Sequence, residues 1–138
     1  MPVLYGDLSG TRSRPVTAAV AGFCSAPWPE FGPPYTESGR VLEAVHYQVD
    51  PANRDAFLAA MREVRHARIR GGAVVWRLYE DVARPEHWTE LWAMESWIDH
   101  LREETRLDET DRMALAHAAA LHRGEEPPRV SRYLNVDP

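Results

Sequence analysis

The 138-residue sequence contains no lysine; all 16 of its basic side chains are arginines. Its one cysteine, Cys24, excludes an internal disulfide and a cysteine-rich metal site. Such sparing use of thiols fits a reducing cytoplasm. Positive charge is short overall: 16 basic against 21 acidic residues leave a formal charge of -5 and a pI near 5.7. That balance disfavours nucleic acid and an anionic membrane surface as partners, since both select a basic face. Long apolar runs are missing as well. VTAAVAGFC, near the N-terminus, falls far short of the roughly 20 residues a membrane span needs. The opening MPVLYGDLSGTRSRP lacks the basic-then-apolar order of a secretory leader. No glycine-rich phosphate loop, G-x-S-x-G elbow or H-x-x-x-H pair with a helical glutamate occurs, so nucleotide-cofactor, serine-hydrolase and zinc-protease chemistry have no support. The expectation is a soluble cytoplasmic protein of one domain, with 44% apolar residues to build its core.

What is present divides at about residue 40. Residues 1–39 carry Pro2, Pro15, Pro27, Pro29, Pro33 and Pro34, with Gly6, Gly10, Gly22 and Gly32 among them, which predicts an extended arm. Phe23, Trp28, Phe31 and Tyr35 suggest that the arm lays its aromatics on the domain or on a partner subunit.

Residues 40–138 read as alternating elements. A strand is predicted over 41–49, with Val41, Val45, Tyr47 and Val49 on one face and Leu42, Ala44 and His46 on the other. Asp50-Pro51 then starts a helix with the stripe Phe57, Met61 and Val64, which Gly71-Gly72 ends. Strands over 73–80 and 87–94 flank a loop containing Pro85. Ser96 and Asp99 open a second helical stretch with Trp97, His100, Leu101 and Glu104 on one face. A restart near 107–111 leads to a stripe of Met113, Ala116, His117, Ala120 and Leu121. A last strand covers 129–135. The order β-α-β-β-α-β implies an α+β fold, a ferredoxin-like antiparallel sheet with its helices on one face. The uncovered face retains large apolar residues, so a two-fold dimer with sheets face to face is expected.

The segments VHYQVDPANRDAFLAAMREVRHARIRGGAVVWRLYED, WTELWAMESWIDHLREE and ALHRGEEPPRV resemble the antibiotic-biosynthesis-monooxygenase-like family of dimeric α+β barrels. Within it they are most similar to the soluble C-terminal domain of some bacterial major facilitator superfamily exporters, and SAPWPE resembles the junction preceding such domains. The absence of a membrane span and the initial methionine depart from the exporter pattern, which leaves both a free-standing relative and an excised piece open. The resemblance implies a homodimer that binds a small apolar or aromatic molecule. Some family enzymes oxidise or cyclise aromatic polyketides without cofactor, the substrate's own phenolate supplying electrons. The alternative it implies is a non-catalytic cytosolic accessory domain, associated with or fused to an exporter.

A ligand site of apolar walls and a few orienting groups is expected from Trp76, Trp92, Trp97, Tyr47 and Tyr79, with His46, Glu90, His100 and His117 as polar candidates. His100 is the candidate catalytic base, because an imidazole titrates near neutrality. No metal and no cofactor is expected. A haem would need an axial histidine on the second helical region, where His100 and His117 are the candidates. The competing reading is that the tryptophans are core and dimer interface.

Overall fold

The computed structural model describes residues 40–136 and Pro138; the predicted arm, with Cys24, lies outside the described residues. Strand β1 (Val41–Gln48) is followed by a 3-10 turn (Pro51–Asn53) and helix α1 (Arg54–Arg70). Strands β2 (Val75–Glu80) and β3 (His87–Met94) form a hairpin, helices α2 (Trp97–Arg106) and α3 (Glu109–Ala120) follow, and β4 (Arg129–Leu134) closes the domain. The sheet is antiparallel with order β2-β3-β1-β4, the ferredoxin-like α+β arrangement expected from the element order.

Local chemistry sets the boundaries. Asp50 accepts from the Ala52 N–H at 2.9 Å and so caps the short 3-10 turn rather than α1 itself, which begins three residues later than Asp50-Pro51 predicts. The second helical stretch breaks at Leu107-Asp108 because Asp108 and Asp111 form a reciprocal capping box that starts α3. At the other end of α1, Gly72 carries the left-handed conformation (φ +108°), whereas Gly71 remains helical. A Cβ on Gly72 would stand 2.5 Å from Arg106 Nη1, and the same nitrogen donates to the Gly71 carbonyl at 3.2 Å. Gly72→Ala is therefore expected to cost about 1–2 kcal/mol. In a thermal melt, a Gly72→Ala midpoint equal to that of the parent would contradict this account.

The register decides which side chains meet. Glu43 stands opposite Trp92 on β3 and Arg132 on β4, Val45 opposite Glu90, and Trp76 opposite Trp92. One face of the sheet thus carries Trp76, Leu78, Trp88, Glu90, Trp92, Met94, Val41, Glu43, Val45, Tyr47, Val130 and Arg132. The stripe Phe57, Met61 and Val64 of α1 packs into the core on this face with Leu107 and Leu115. The other face presents Leu42, Ala44, His46, Val75, Tyr79, Leu91, Ala93 and Tyr133.

Two predicted helix stripes shift phase. Leu101 is 53% exposed, Glu104 is also exposed, and α2 instead buries Trp97 and Glu103, with His100 between them. In α3 the inward residues are Asp111, Leu115, Ala116 and Ala118, while Met113 is 64% exposed and His117 faces outward. Asp111 turns in because it pairs with Arg70 at the end of α1.

Candidate functional site: a buried ionic cluster beneath three tryptophans

Between the sheet and the helices lie more charged groups than a core of this size ordinarily tolerates. Glu43, Arg68, Glu90 and Glu103 are all buried. Burying a charge is costly unless it is paired and hydrogen-bonded, and here each has partners. Arg68, from α1, donates through Nε to Glu90 Oε1 at 3.1 Å and through Nη1 to Glu103 Oε1 at 3.2 Å. Its guanidinium lies over the Trp92 ring, 3.6 Å from the centroid. Glu90 also accepts from Trp76 Nε1 at 3.0 Å and from the Tyr47 hydroxyl at 3.2 Å. Glu43 accepts from Arg132 Nε, its cross-strand neighbour, and its Oε1 lies 3.0 Å from His100 Nε2. His100 Nδ1 faces Glu103 Oε2 at 4.0 Å, and the imidazole stacks on Trp97 with centroids 5.2 Å apart and planes at 28°.

These surroundings shift the titrating groups in definite directions. Burial pushes the carboxyls of Glu43 and Glu103 above the ordinary range, against the pull of Arg132 and Arg68 on Glu43 and of Arg68 on Glu103. Burial pulls His100 below its ordinary value, although Glu103 works in the opposite direction. For Arg68, burial opposes the charged form, but Glu90 and Glu103 outweigh it and hold the guanidinium more firmly protonated than usual. Tyr47 is raised well above the ordinary phenol value by burial and by Glu90.

The fold brings Trp76, Trp92, Trp97, Tyr47, Glu90 and His100 together. It does not bring Tyr79, His46 or His117 to them. Tyr79 is 53% exposed on the opposite sheet face, since β2 turns Trp76 and Leu78 inward and its odd-numbered residues outward. His46 lies on that same far face, within 3.2 Å of Thr89 Oγ1 and 3.4 Å of Ser131 Oγ. His117 is exposed on α3. Sequence reasoning passed over Arg68, Glu43, Glu103 and Arg132, although their spacing carried a signal. Arg68 continues the stripe of Phe57, Met61 and Val64, Glu43 and Arg132 sit at inward alternations of their strands, and Glu103 follows His100 by three.

Two donors in the cluster are conspicuous: Arg68 Nη2 and Trp92 Nε1 are buried and have no hydrogen-bond partner among the described residues. A buried donor left without an acceptor costs about 1–3 kcal/mol. Glu43, His100 and Glu103 also bring one potential ligand atom each within 4.8 Å of one another. Arg132 and Arg68 already hydrogen-bond to Glu43 Oε1 and Glu103 Oε1, respectively.

A sequence profile for a family described as transmembrane secretion effector matches residues 14–138. No curated protein sequence matches. Solved structures share the fold. One from Caulobacter crescentus CB15, provisionally described as an antibiotic biosynthesis monooxygenase, superimposes with a TM-score of 0.60 at 17% identity, covering 75% of this chain and 94% of that one. A protein from Bordetella bronchiseptica with the same provisional description gives 0.59 at 19% identity over 72% and 99% of the two chains. A third, from Nitrosomonas europaea and described likewise, gives 0.59 at 15% identity over 75% and 97%. The domain therefore has the antibiotic-biosynthesis-monooxygenase-like fold. Among the described residues no helix is long and apolar enough to cross a membrane.

Proposed function

Because this chain belongs to the family described as transmembrane secretion effectors, we propose that it is the small-molecule-binding module of a bacterial export system, acting in the cytoplasm as a homodimer. The observation that carries the binding reading is the pair of buried donors, Arg68 Nη2 and Trp92 Nε1, set beside Trp76 and Tyr47, which share Glu90 with Arg68. A ligand suited to such a place has a flat apolar body and one oxygen acceptor, which describes an aromatic or polyketide-like molecule bearing a phenolate, carbonyl or carboxylate. Leu42, Val75 and Leu91 on the far face of the sheet are only half-buried within the chain, which leaves apolar surface there for a second copy to cover and supports the homodimer. The reading needs no cofactor.

The contact of His100 with Glu43 favours a second reading, a cofactor-independent oxygenase or cyclase. There the carboxylate would orient the imidazole, and His100 would accept a proton from a phenolic substrate. His100→Ala separates the two: binding retained with turnover lost supports the enzyme, and unchanged turnover in a folded variant removes His100 from that role.

Titration of tryptophan fluorescence with 1,4-dihydroxy-2-naphthoate tests the binding reading, alongside native mass spectrometry of protein purified from its own host. Trp92→Phe keeps an aromatic ring and deletes the donor. Its expected effect is an affinity about tenfold weaker, the value of one good hydrogen bond. Equal affinities for the parent and a folded Trp92→Phe variant would refute the assignment of this donor, and a host-purified dimer without bound molecule would count against the ligand.

A further inference from the structure

The sheet face turned away from α1 carries a pattern of large and small side chains that two copies of this chain can share. Its two middle strands are β3 and β1, and their register sets Leu42 beside Ala93 and Ala44 beside Leu91. The result is a square with leucines on one diagonal and alanines on the other. Ala44 and Ala93 are buried, at 2% and 5% exposure, whereas Leu42 and Leu91 are half-buried. An isobutyl group reaches further from the sheet than a methyl, so the square presents two knobs and two hollows.

Sheets that pack face to face lie either aligned, within about 30°, or crossed at about 90°. An aligned pair related by a two-fold axis along the strands lays β1 of one copy over β3 of the other. Residues of one row then exchange partners: Leu42 meets the partner's Ala93, and Leu91 meets the partner's Ala44. Both leucines enter hollows, which gives the close packing that interface centres share with protein interiors. A crossed pair, with its axis on either diagonal of the square, sets leucine against leucine instead. An axis across the strands also seats leucine on alanine, but it carries Arg40 over the partner's His46.

The surroundings of the square fit the axis along the strands. β2 and β4 exchange places across it, so Val75 lies over the partner's Tyr133 and Arg77 over the partner's Ser131. Tyr133 is 53% exposed in the single copy and gains cover there. Beyond Leu42 and Ala93, Arg40 and Glu95 form an exposed ion pair at 3.3 Å. Each of them then faces the oppositely charged member of the partner's pair, and four charges alternate in sign. Among the described residues of these strands, no row sets like charges against one another. We propose that the chain pairs with a second copy through this face, with the sheets aligned and Leu42 and Leu91 seated on the partner's Ala93 and the partner's Ala44. This arrangement rests on the homodimer reading above and deepens it by fixing which residues meet and how the sheets lie.

Two-fold symmetry repeats every contact, so one substitution alters the interface twice. Leu42→Ala leaves methyl over methyl at both places and should weaken pairing about thirtyfold, the value of two partly buried leucines. Ala93→Leu sets leucine against leucine at both places, and overpacking of that kind opposes close approach. Mixing the two variants restores the fit. The shortened position 42 of one copy meets the enlarged position 93 of the other, and the second contact is that of the parent.

Sedimentation equilibrium of the full chain measures the pairing of the parent and of each variant, with circular dichroism to establish that each is folded. Native mass spectrometry of an equimolar mixture of the variants identifies the paired species by mass. The expected result is a dimeric parent, weakened pairing in Leu42→Ala and in Ala93→Leu, and a heterodimer as the main paired species of the mixture. Should Ala93→Leu not fold, Leu91→Ala with Ala44→Leu forms the equivalent pair of variants. A dimeric parent whose variants pair unchanged, or a mixture that recovers no heterodimer, would overturn the arrangement and leave a homodimer of another geometry. A monomeric parent, the result if residues 1–39 or a different protein cover this face, would overturn the arrangement and the homodimer reading together. The experiment contains no ligand, so its outcome is independent of the binding reading above.

Discussion

Arg68→Met is expected to leave the domain about 3–5 kcal/mol less stable, the usual consequence of removing one partner from a buried ion pair. The side chain is 1% exposed and holds two carboxylates, one of them fully buried. Methionine fills much of the same volume, so the loss is electrostatic: Glu90 and Glu103 are left buried without their cation. Domains are typically stable by 5–15 kcal/mol, so this one substitution takes a large share. The electrostatic cause makes two further demands. The penalty should shrink at acid pH as the stranded carboxyls protonate. It should also be largely recovered when Glu90→Gln and Glu103→Gln accompany Arg68→Met, because the triple variant buries no net charge. A loss below about 1 kcal/mol in chemical denaturation, by comparison with the range for such pairs, would mean that water reaches the cluster and screens it.

Phe57→Ala should cost a similar amount, about 3–5 kcal/mol, for a different reason. Phe57 is fully buried on the inner face of α1. Its ring meets Tyr47 edge-on at 5.2 Å and Trp88 at 5.5 Å, so it joins the helix to β1 and β3. Alanine leaves a cavity among rigid aromatic neighbours that have little freedom to close it. No charge is involved, and the loss should be the same at pH 5 and pH 8. That contrast separates the two mechanisms: equal pH sensitivity of Arg68→Met and Phe57→Ala would show that the Arg68 penalty is one of packing rather than charge.

The strands were legible because alternation in a half-covered sheet is a local property. Val41, Val45, Tyr47 and Val49 announce an inner face, and Val130, Arg132 and Leu134 announce another. The helix ends were legible where one residue type has a single good use, as with Ser96 as a cap and the glycines after Arg70. The phase of α3 was not. ALAHAAA is apolar on nearly every side, so nothing in the segment prefers Leu115 over Met113 for the interior. The pairing of Asp111 with Arg70, a contact between two helices, made the choice.

The candidate site divides in the same way. The tryptophans and His100 stand out by residue type. Tyr79, His46 and His117 stand out equally and lie elsewhere, because residue type does not record which sheet face or helix side a residue occupies. The sequence by itself determined the order of elements, the antiparallel ferredoxin-like sheet and the inward stripe of α1, since these follow from periodicity and capping within short segments. Only the tertiary structure decided that Glu43, Arg68, Glu90, Glu103 and Arg132 share one interior with His100. A charged residue at an inward position is tolerated only when a partner arrives from another element, and that partner is set by strand register and helix docking.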